Sequence, residues 1–436
     1  MKNTLPEAFL KKMQALLGDA YEAYLACMRE EAYRGFRVNT LKIDPADFFA
    51  RLSFPILPSV FAKNGYYLKD RTAVGTLPYH AAGLFYVQEP SAACAITLLD
   101  PKPGMRVLDL CAAPGSKTTQ IAECLRHEGL LVANEIHPRR AQILVENVER
   151  HGSANVLVLN ASPADVAASF PAYFDAVLCD APCSGEGMFR KQTEAVKEWR
   201  EETVSFCAER QKSILEQAYR CLKPGGVLVY STCTFSKEEN EENVFQLLRQ
   251  HDDLVLEEPE VPFGHVKDGC LRIYPMDKGE GHFAARIRKR ESRVETVFKP
   301  SLLKSDTVDI RAKQAIAAWT KGDYPYYFQY KDSIYGGTHP FISTGKCRLL
   351  RHQTLLGKIR NGRFEPGQGL FLSAFAPPSR VRDYTDAMLV KFMHGETLPA
   401  PGCKGYTAIG CDGHALGFGK GDGVLLKNHY PKNLRL

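Results

Sequence analysis

The chain has 436 residues, of which 44% are hydrophobic and 24% are charged. At roughly 100–200 residues per domain it has room for two to four domains, and its composition excludes disordered, collagen-like and fibrous proteins. No apolar run approaches the ~18 residues of a membrane span, and the N-terminus lacks the apolar core of a signal peptide. We therefore expect a cytoplasmic protein with no membrane partner.

Cysteine usage and charge narrow the class further. The 13 cysteines are irregularly spaced and include no Cys-x2-Cys pair, which predicts free thiols and no metal site. The formal net charge is +6, but residues 291–436 hold 21 Lys and Arg against 12 Asp and Glu. This basic tail indicates a polyanionic partner, although a solvated basic surface explains it equally well.

Hydrophobic periodicity gives the elements in chain order. Residues 5–34 predict helices, followed by a strand over 34–44 and a helix from Asp44 to about Leu52. From residue 104 short apolar strands alternate with amphipathic helices. The predicted strands are 106–110, 130–135, 155–159, 175–179, 227–231 and 281–289, and the predicted helices are 116–126, 138–150, 194–222 and 237–249. This alternation predicts an α/β domain with a mostly parallel sheet covered on both faces.

Beyond residue 290 the composition changes again. A polar, basic linker precedes a helix over 309–319, an aromatic run over 324–330 and short strands separated by Gly and Pro. The closely spaced turn signals of the tail predict a small β-barrel. The aromatic run is either core or a surface on which bases stack, and core is the commoner outcome.

A turn of small residues joins the first predicted strand of the α/β region to its helix. It contains Cys111, Ala112, Ala113, Pro114, Gly115, Ser116 and Lys117. Ligands of parallel sheets bind at the carboxyl ends of strands, where small residues let the backbone approach them. The turn lacks dinucleotide and phosphate-loop signatures, and Pro114 removes one amide donor, so we predict a nucleoside cofactor without phosphates. A plain tight connection is the competing interpretation.

Polar residues also end the next two predicted strands. Glu135 stands where a carboxylate can accept both hydroxyls of a ribose, and Arg140 follows one turn into the next helix. Asn160 ends the third strand, where a polar group is placed to read an adenine edge. Each of them alone is more often an ordinary strand-end residue, but their joint placement favours a cofactor pocket.

Two further strand ends carry cysteines in polar turns. Asp180 and Cys183 follow the strand at 175–179, and Cys233 follows the strand at 227–231. A turn among small polar residues is a place where a thiolate can form, whereas a cysteine inside an apolar strand, such as Cys179, is typical of packing. The pattern therefore predicts thiol chemistry.

These motifs resemble those of a known family. DLCAAPGSKT, DAPCSGEG and STCTFSKEENE, with RVNTLK at 37–42 and QEPSAA at 88–93, are similar to the motifs of the NOL1/NOP2/Sun family of RNA (cytosine-5) methyltransferases. The resemblance covers about residues 34–290. In the tail, GFGK at 417–420 and LKNHYPKNLR at 426–435 resemble the PUA-like module of the F-type bacterial small-subunit ribosomal RNA methyltransferases.

The resemblance implies an architecture and a reaction. A Rossmann-like, S-adenosylmethionine-dependent methyltransferase domain would occupy 76–290, after a helical and mixed RNA-binding segment at 1–75. A linker or accessory domain at 291–375 and a basic PUA-like β domain at 376–436 would follow. The implied reaction methylates C5 of a cytosine in small-subunit (16S) ribosomal RNA, free or in the assembled 30S subunit, with S-adenosylmethionine as donor.

The resemblance also implies how the cofactor is held. Residues 111–117 would form the methionine and ribose side of the pocket. Glu135 would hold the ribose hydroxyls, and Arg140 would support that pocket. The family often has Asp where Asn160 stands, so Asn160 or a residue near Ser162 would contact the adenine.

For catalysis the resemblance implies that Asp180 faces both cofactor and base, that Cys233 is the nucleophile and that Cys183 helps to release the product. DNA cytosine methyltransferases instead use the Cys of a Pro-Cys turn, which here is Cys183, and residues 242–244 copy their Glu-Asn-Val triplet. We interpret that triplet as helix interior, and the RNA-type context favours Cys233.

Two other functions stay open at this point. A transfer RNA cytosine-5 methyltransferase would share the scaffold and differ in the tail, and a non-catalytic RNA-binding ribosome assembly factor would have no need of two turn cysteines. The basic stretch 286–293 and a basic cluster further on are predicted to bind phosphates. The cluster consists of Lys346, Arg348, Arg351, Lys358, Arg360 and Arg363.

Overall fold

The computed structural model describes residues 5–292 and 298–436. The N-terminal part combines helices with a small antiparallel sheet of order β2-β3-β1-β4. Its elements are α1 (Glu7–Leu17), α2 (Tyr21–Arg29), β1 (Gly35–Val38), α3 (Pro45–Phe49), β2 (Ile56–Pro58), β3 (Gly65–Leu68), α4 (Pro78–Ala81) and β4 (Phe85–Val87). The Asp44 side chain accepts a hydrogen bond from the Ala46 amide and caps α3, which confirms the predicted helix start.

The central part alternates helices and strands, as predicted. Its elements are α5 (Cys94–Leu99), β5 (Arg106–Asp109), α6 (Ser116–Leu125), β6 (Leu130–Asn134), α7 (Pro138–His151), β7 (Val156–Asn160), α8 (Pro163–Ser169), β8 (Phe174–Asp180), α9 (Thr193–Glu198), α10 (Glu201–Cys221), β9 (Leu222–Thr232), α11 (Glu241–Gln250), β10 (Leu254–Glu257), β11 (His265–Lys267), β12 (Cys270–Ile273) and β13 (His282–Lys289). Parallel strands run in the order β7-β6-β5-β8-β9, and β13 lies antiparallel beside β9. The order reverses between β5 and β8, so the ligand crevice of such a sheet lies at their carboxyl ends.

The C-terminal part adds two smaller sheets. Its elements are α12 (Ile310–Trp319), β14 (Tyr326–Tyr330), β15 (Ser333–Gly337), β16 (Arg348–His352), β17 (Thr354–Arg360), β18 (Arg363–Pro366), α13 (Gln368–Leu372), β19 (Val381–Asp383), α14 (Asp386–Met393), β20 (Leu398–Pro399), β21 (Lys404–Cys411), β22 (His414–Asp422) and β23 (Leu425–Asn428). The sheet orders are β14-β15-β17-β18 and β19-β21-β22-β23-β20. Strand β16 pairs with β7 and so extends the central sheet. The division of the chain at residues 75, 290 and 375 stays a prediction.

The structure shows which side chains of the aromatic run are buried. In the aromatic run, Tyr324 and Phe328 are buried, whereas Tyr326 and Tyr330 stay exposed, so packing accounts for one face of the run. Across the described residues, none of the helices combines the length and apolar character needed to cross a membrane.

The prediction of a single long helix over 194–222 is wrong. Helix α9 ends at Glu198 and α10 begins at Glu201, because Trp199 and Arg200 adopt extended backbone angles. Trp199 is buried, and its indole Nε1 donates to Glu186 Oε1 at 3.0 Å. This tertiary contact overrides the local helix propensity. Helix α10 ends at Cys221, just before the segment Lys-Pro-Gly-Gly, which forms part of β9.

A buried charged cluster joins the N-terminal sheet to the central domain. Arg37 on β1 is 1% exposed, and its Nε lies 3.1 Å from Glu123 Oε1 on α6. His151 Nε2, at the end of α7, lies 3.2 Å from the same oxygen. Burial alone would raise the pKa of Glu123, but Arg37 and His151 outweigh it and hold that pKa below its usual value. The pair therefore stays ionised, and it fixes β1 against two helices of the central domain.

We expect Glu123→Gln to lower the free energy of unfolding by about 3–5 kcal/mol, because the Arg37 guanidinium would stay buried without a carboxylate partner. Urea unfolding followed by circular dichroism measures the change. As a control, Glu7→Gln removes an exposed pair with Lys11 and should cost less than about 1 kcal/mol. Equal losses in the two variants would contradict the role of the buried cluster.

Candidate active site

The turn after β5 is tightly packed at the carboxyl edge of the sheet. Ala112 and Ala113 are buried, Pro114 is exposed, and α6 begins directly after Gly115. Gly115 has φ +115°, and a Cβ there would lie 3.1 Å from Leu144 Cδ1. The backbone angle therefore favours glycine at this position, and a Cβ would also press on the Leu144 side chain of α7.

Beneath this turn, Asp109 at the end of β5 is fully buried. Thr118 Oγ1 donates to Asp109 Oδ2 at 2.7 Å, while Oδ1 has no hydrogen-bond partner among the described residues. Burial raises the pKa of Asp109 to about 7. A buried oxygen without a partner is costly, so this atom fits a site that a polar or cationic ligand completes.

Glu135 and Arg140 lie together beside the same turn. Arg140 has one guanidinium nitrogen 3.4 Å from Glu135 Oε2, and the other donates to the Ala113 carbonyl at 2.7 Å. The backbone N–H of His137 donates to Glu135 Oε1 at 2.8 Å. Arg140 thus ties the strand-end carboxylate of β6 to the turn after β5. Ile136, the next residue after Glu135, is 59% exposed and offers an apolar surface that we did not predict.

Asn160, at the end of β7, uses its amide nitrogen within the chain. Its Nδ2 donates to the carbonyls of Glu135 at 2.8 Å and Ile136 at 2.9 Å. The side chain therefore holds the backbone of the neighbouring strand end in place. For a ligand, Asn160 offers its Oδ1, which is an acceptor.

Lys117 and Asp180 bring the turn after β5 to the end of β8. Lys117 Nζ lies 2.7 Å from Asp180 Oδ2, and Ser231 Oγ donates to Asp180 Oδ1 at 2.7 Å. Burial would lower the pKa of Lys117, but the interaction with Asp180 outweighs it and raises that pKa above its usual value. Lys117 therefore stays a cation at neutral pH, next to the carboxylate that faces the sheet edge.

The two turn cysteines, 50 residues apart in the chain, are in contact. The Sγ atoms of Cys183 and Cys233 lie 3.3 Å apart, and the backbone N–H of Cys233 lies 3.4 Å from Cys183 Sγ. Both side chains are partly exposed. The hydrogen bond with Cys233 and, next, burial raise the pKa of Cys183 well above its usual value. Cys179 is fully buried in the core, as predicted.

Two buried glutamates hold the cysteine turns against each other. Glu239 Oε2 accepts hydrogen bonds from the Ser184 amide at 3.0 Å and from Gln211 Nε2 at 2.8 Å, and Ser184 Oγ lies 2.8 Å from Thr234 Oγ1. Glu186 Oε2 accepts from Thr234 Oγ1 at 2.9 Å and from the Phe235 amide. Burial raises the pKa of Glu239 and of Glu186. The hydrogen bonds that they accept lower it, but the effect of burial is larger. The two turns are thus positioned by two buried carboxylates, each of which accepts hydrogen bonds from the opposite turn.

We did not predict these two glutamates. Glu186 stands inside the quoted motif, and its spacing from Cys183 is visible in the sequence. Glu239 stands in the acidic run Lys-Glu-Glu-Asn-Glu-Glu, which is typical of a solvated surface, yet Glu239 is 0% exposed. The interpretation of residues 242–244 as helix interior is confirmed, since they lie in α11.

The predicted phosphate-binding groups need correction. Arg286 and Arg288 both pair with Glu257 across β10 and β13, and Arg293, at the end of that stretch, lies outside the described residues. Arg351 is 7% exposed, and its guanidinium donates to two backbone carbonyls at the start of β7. Arg286, Arg288 and Arg351 therefore have partners within the protein, and phosphate binding by the basic stretch and the cluster stays a prediction. The exposed members of the cluster are Lys346, Arg348, Lys358, Arg360 and Arg363.

A sheet of this order, with a turn of small residues after its first parallel strand, defines a Rossmann-like α/β domain. Family models match three successive parts of the chain: the N-terminal domain of 16S rRNA methyltransferase RsmF at 5–90, 16S rRNA methyltransferase RsmB/F at 96–288 and the methyltransferase RsmF PUA domain at 380–436. Ribosomal RNA small subunit methyltransferase F of Vibrio vulnificus is 33% identical, over 99% of this chain and 97% of the relative. The protein of that name from Klebsiella pneumoniae is 32% identical, over 98% and 96%. The chain belongs to the ribosomal RNA small subunit methyltransferase F family.

Solved structures agree with this fold. A methyltransferase homolog protein from Pyrococcus horikoshii is 32% identical with a TM-score of 0.57, over 65% of this chain and 95% of that chain. NSun6 from Pyrococcus horikoshii, solved with SFG, is 23% identical with a TM-score of 0.60, over 66% and 99%, and shows a shared fold. The predicted family, the α/β methyltransferase fold with a C-terminal PUA domain and S-adenosylmethionine as methyl donor are confirmed.

We expect Glu239→Ala to slow formation of a Cys183–Cys233 disulfide by diamide at least about tenfold, because Ser184 and its turn lose their buried acceptor and the two sulfurs separate. Peptide mass spectrometry after timed oxidation measures the cross-link. Glu238→Ala is the matched control, since that neighbouring side chain is partly exposed and contacts Ser236 and Lys12. Equal rates in the wild type and in Glu239→Ala would contradict the positioning role.

Proposed function

We propose that the protein transfers a methyl group from S-adenosylmethionine to C5 of a cytosine in small-subunit ribosomal RNA, through a transient bond between Cys233 Sγ and C6 of the base. The observation that carries this proposal is the 3.3 Å contact of Cys183 and Cys233 beside the Lys117–Asp180 pair. Membership of a small-subunit ribosomal RNA methyltransferase family supports the choice of RNA.

The cofactor pocket is assigned to the turn after β5 and to the strand ends beside it. Residues 111–117 enclose the methionine and ribose side, Glu135 accepts from the ribose hydroxyls with Arg140 holding it, and Asn160 offers Oδ1 to the adenine. The exposed Ile136 provides an apolar face next to Glu135. When bound, S-adenosylmethionine supplies the electrophilic methyl group that C5 accepts.

Cysteine chemistry makes C5 reactive. C5 of cytosine is too weak a nucleophile on its own, and addition of the Cys233 thiolate to C6 turns C5 into an enamine-like carbon. Negative charge then develops towards N3 of the ring. The Lys117 ammonium, held by Asp180 at 2.7 Å, is the donor that stabilises it, and Asp180 orients that donor towards the base.

Release of the product needs a second group. After methylation, the proton on C5 leaves as the C6–Sγ bond breaks, and the electron pair of that bond returns to Cys233. Cys183, once its own proton has passed to solvent, is placed to accept the C5 proton as a thiolate, directly or through water. The similarity of the Thr-Cys turn at 232–233 to the RNA-type motif is the reason why we assign the nucleophile to Cys233.

We expect purified protein with labelled S-adenosylmethionine to methylate small-subunit ribosomal RNA and to leave transfer RNA unmodified. Nucleoside mass spectrometry should find the label in 5-methylcytosine. The assay should include free RNA and assembled 30S particles, because the family name does not distinguish them. Label in transfer RNA would favour the alternative substrate, and label in another nucleoside would refute the proposed reaction.

We expect Cys183→Ala to accumulate a protein–RNA adduct that survives denaturing gels, because the bond from Cys233 to C6 forms but is not released. Cys233→Ala should form no adduct and should lose methyl transfer by more than about 10³-fold. Cys124→Ala, which changes a partly exposed cysteine outside both turns, is the control and should behave like wild type. An adduct in Cys233→Ala would reverse the two assignments.

A further inference from the structure

Helix α10 presents one aromatic ring to solvent near the active site. Phe206 is 67% exposed, whereas Val204 and Cys207 on the inner side of the helix are buried. A large apolar side chain that is two-thirds exposed gains nothing from the core of the protein. A single exposed ring needs no explanation by itself, so its surroundings decide whether it has a role.

One turn further along α10, Arg210 connects this ring to the catalytic turn. Its guanidinium carbon lies 5.6 Å from the centroid of the Phe206 ring. The same guanidinium donates to the carbonyl of Pro182 at 3.3 Å, and Pro182 immediately precedes Cys183. Gln211 donates to that carbonyl as well, at 3.0 Å. The ring and the cation therefore flank the turn that carries Cys183.

The charge of Arg210 is not matched by a carboxylate. Among the described residues its contacts are the Pro182 carbonyl, the Cys207 sulfur and the Phe206 ring, and it forms no ion pair. The neighbouring acidic residue, Glu209, pairs with Lys212. An arginine without an anionic partner, next to an exposed ring, is the combination that binds a base by stacking and its phosphate by charge.

We propose that Phe206 and Arg210 form a stacking platform for a nucleotide of the RNA strand next to the target cytosine. This proposal rests on the function proposed above. A cytosine can reach the two cysteines only when it leaves its stack, which leaves an adjacent base without a stacking partner. Phe206 replaces that partner, and Arg210 binds the phosphate between the two nucleotides.

The platform predicts an effect on RNA binding and little effect on the chemical step. Phe206→Ala should raise the KM for small-subunit ribosomal RNA about 5- to 100-fold and leave kcat within about threefold. Phe206→Trp should restore the KM, because it keeps the aromatic surface. Leu302→Ala, at 68% exposure, is a control of matched exposure and should change neither constant.

A double-mutant cycle that combines Phe206→Ala with modified RNA identifies the nucleotide that stacks on Phe206. Fragments of the substrate RNA that carry an abasic nucleotide on either side of the target cytosine are assayed with the wild type and with Phe206→Ala. At the stacked position, the abasic change should raise the KM of the wild type for the RNA fragment. It should not raise the KM of Phe206→Ala any further. Additive losses at both positions, an unchanged KM in Phe206→Ala, or no rescue by Phe206→Trp would overturn the platform. Absence of methyl transfer by the wild type would instead refute the proposed function.

Discussion

The active site depends on the burial of two carboxylates between the cysteine turns. Glu239 and Glu186 have lost their water, and a buried carboxylate is tolerated only when its oxygens are fully hydrogen-bonded. The donors come from both turns and from the helices beside them, including Ser184, Thr234 and Gln211. Each carboxylate has its full set of hydrogen-bond donors only when the two turns lie together. The hydrogen bonds of Glu239 and Glu186 therefore hold the two sulfurs in contact.

A similar constraint attaches the N-terminal sheet. If Arg37 separated from Glu123, each charge would be left unpaired in the protein interior. The free-energy cost of such an unpaired buried charge is larger than the stabilisation that an exposed ion pair provides. The N-terminal segment and the catalytic domain therefore share one polar core at β1, α6 and α7. RNA that contacts both parts meets surfaces held in a fixed relation by this cluster.

The sequence predicts the parts of this fold that depend on local pattern. The parallel strands were predictable because each is a short apolar run, and the turn of small residues at 111–117 directly follows the first of them. The break at Trp199 was not, because it depends on a hydrogen bond to Glu186, 13 residues away. Glu239 was not predicted and Arg351 was predicted wrongly as exposed for the same reason, since a charged residue is buried only where distant partners satisfy it. Neither the acidic run nor the basic cluster carries that information.

The two sulfurs lie beside side chains of different charge. Glu239 lies close enough to Cys183 to raise its pKa further, which opposes a thiolate at that position. The Lys117 ammonium interacts with Cys233, and that interaction contributes to the raised pKa of Lys117. Two cysteines in similar polar turns thus have neighbours of opposite charge, Glu239 beside Cys183 and Lys117 beside Cys233.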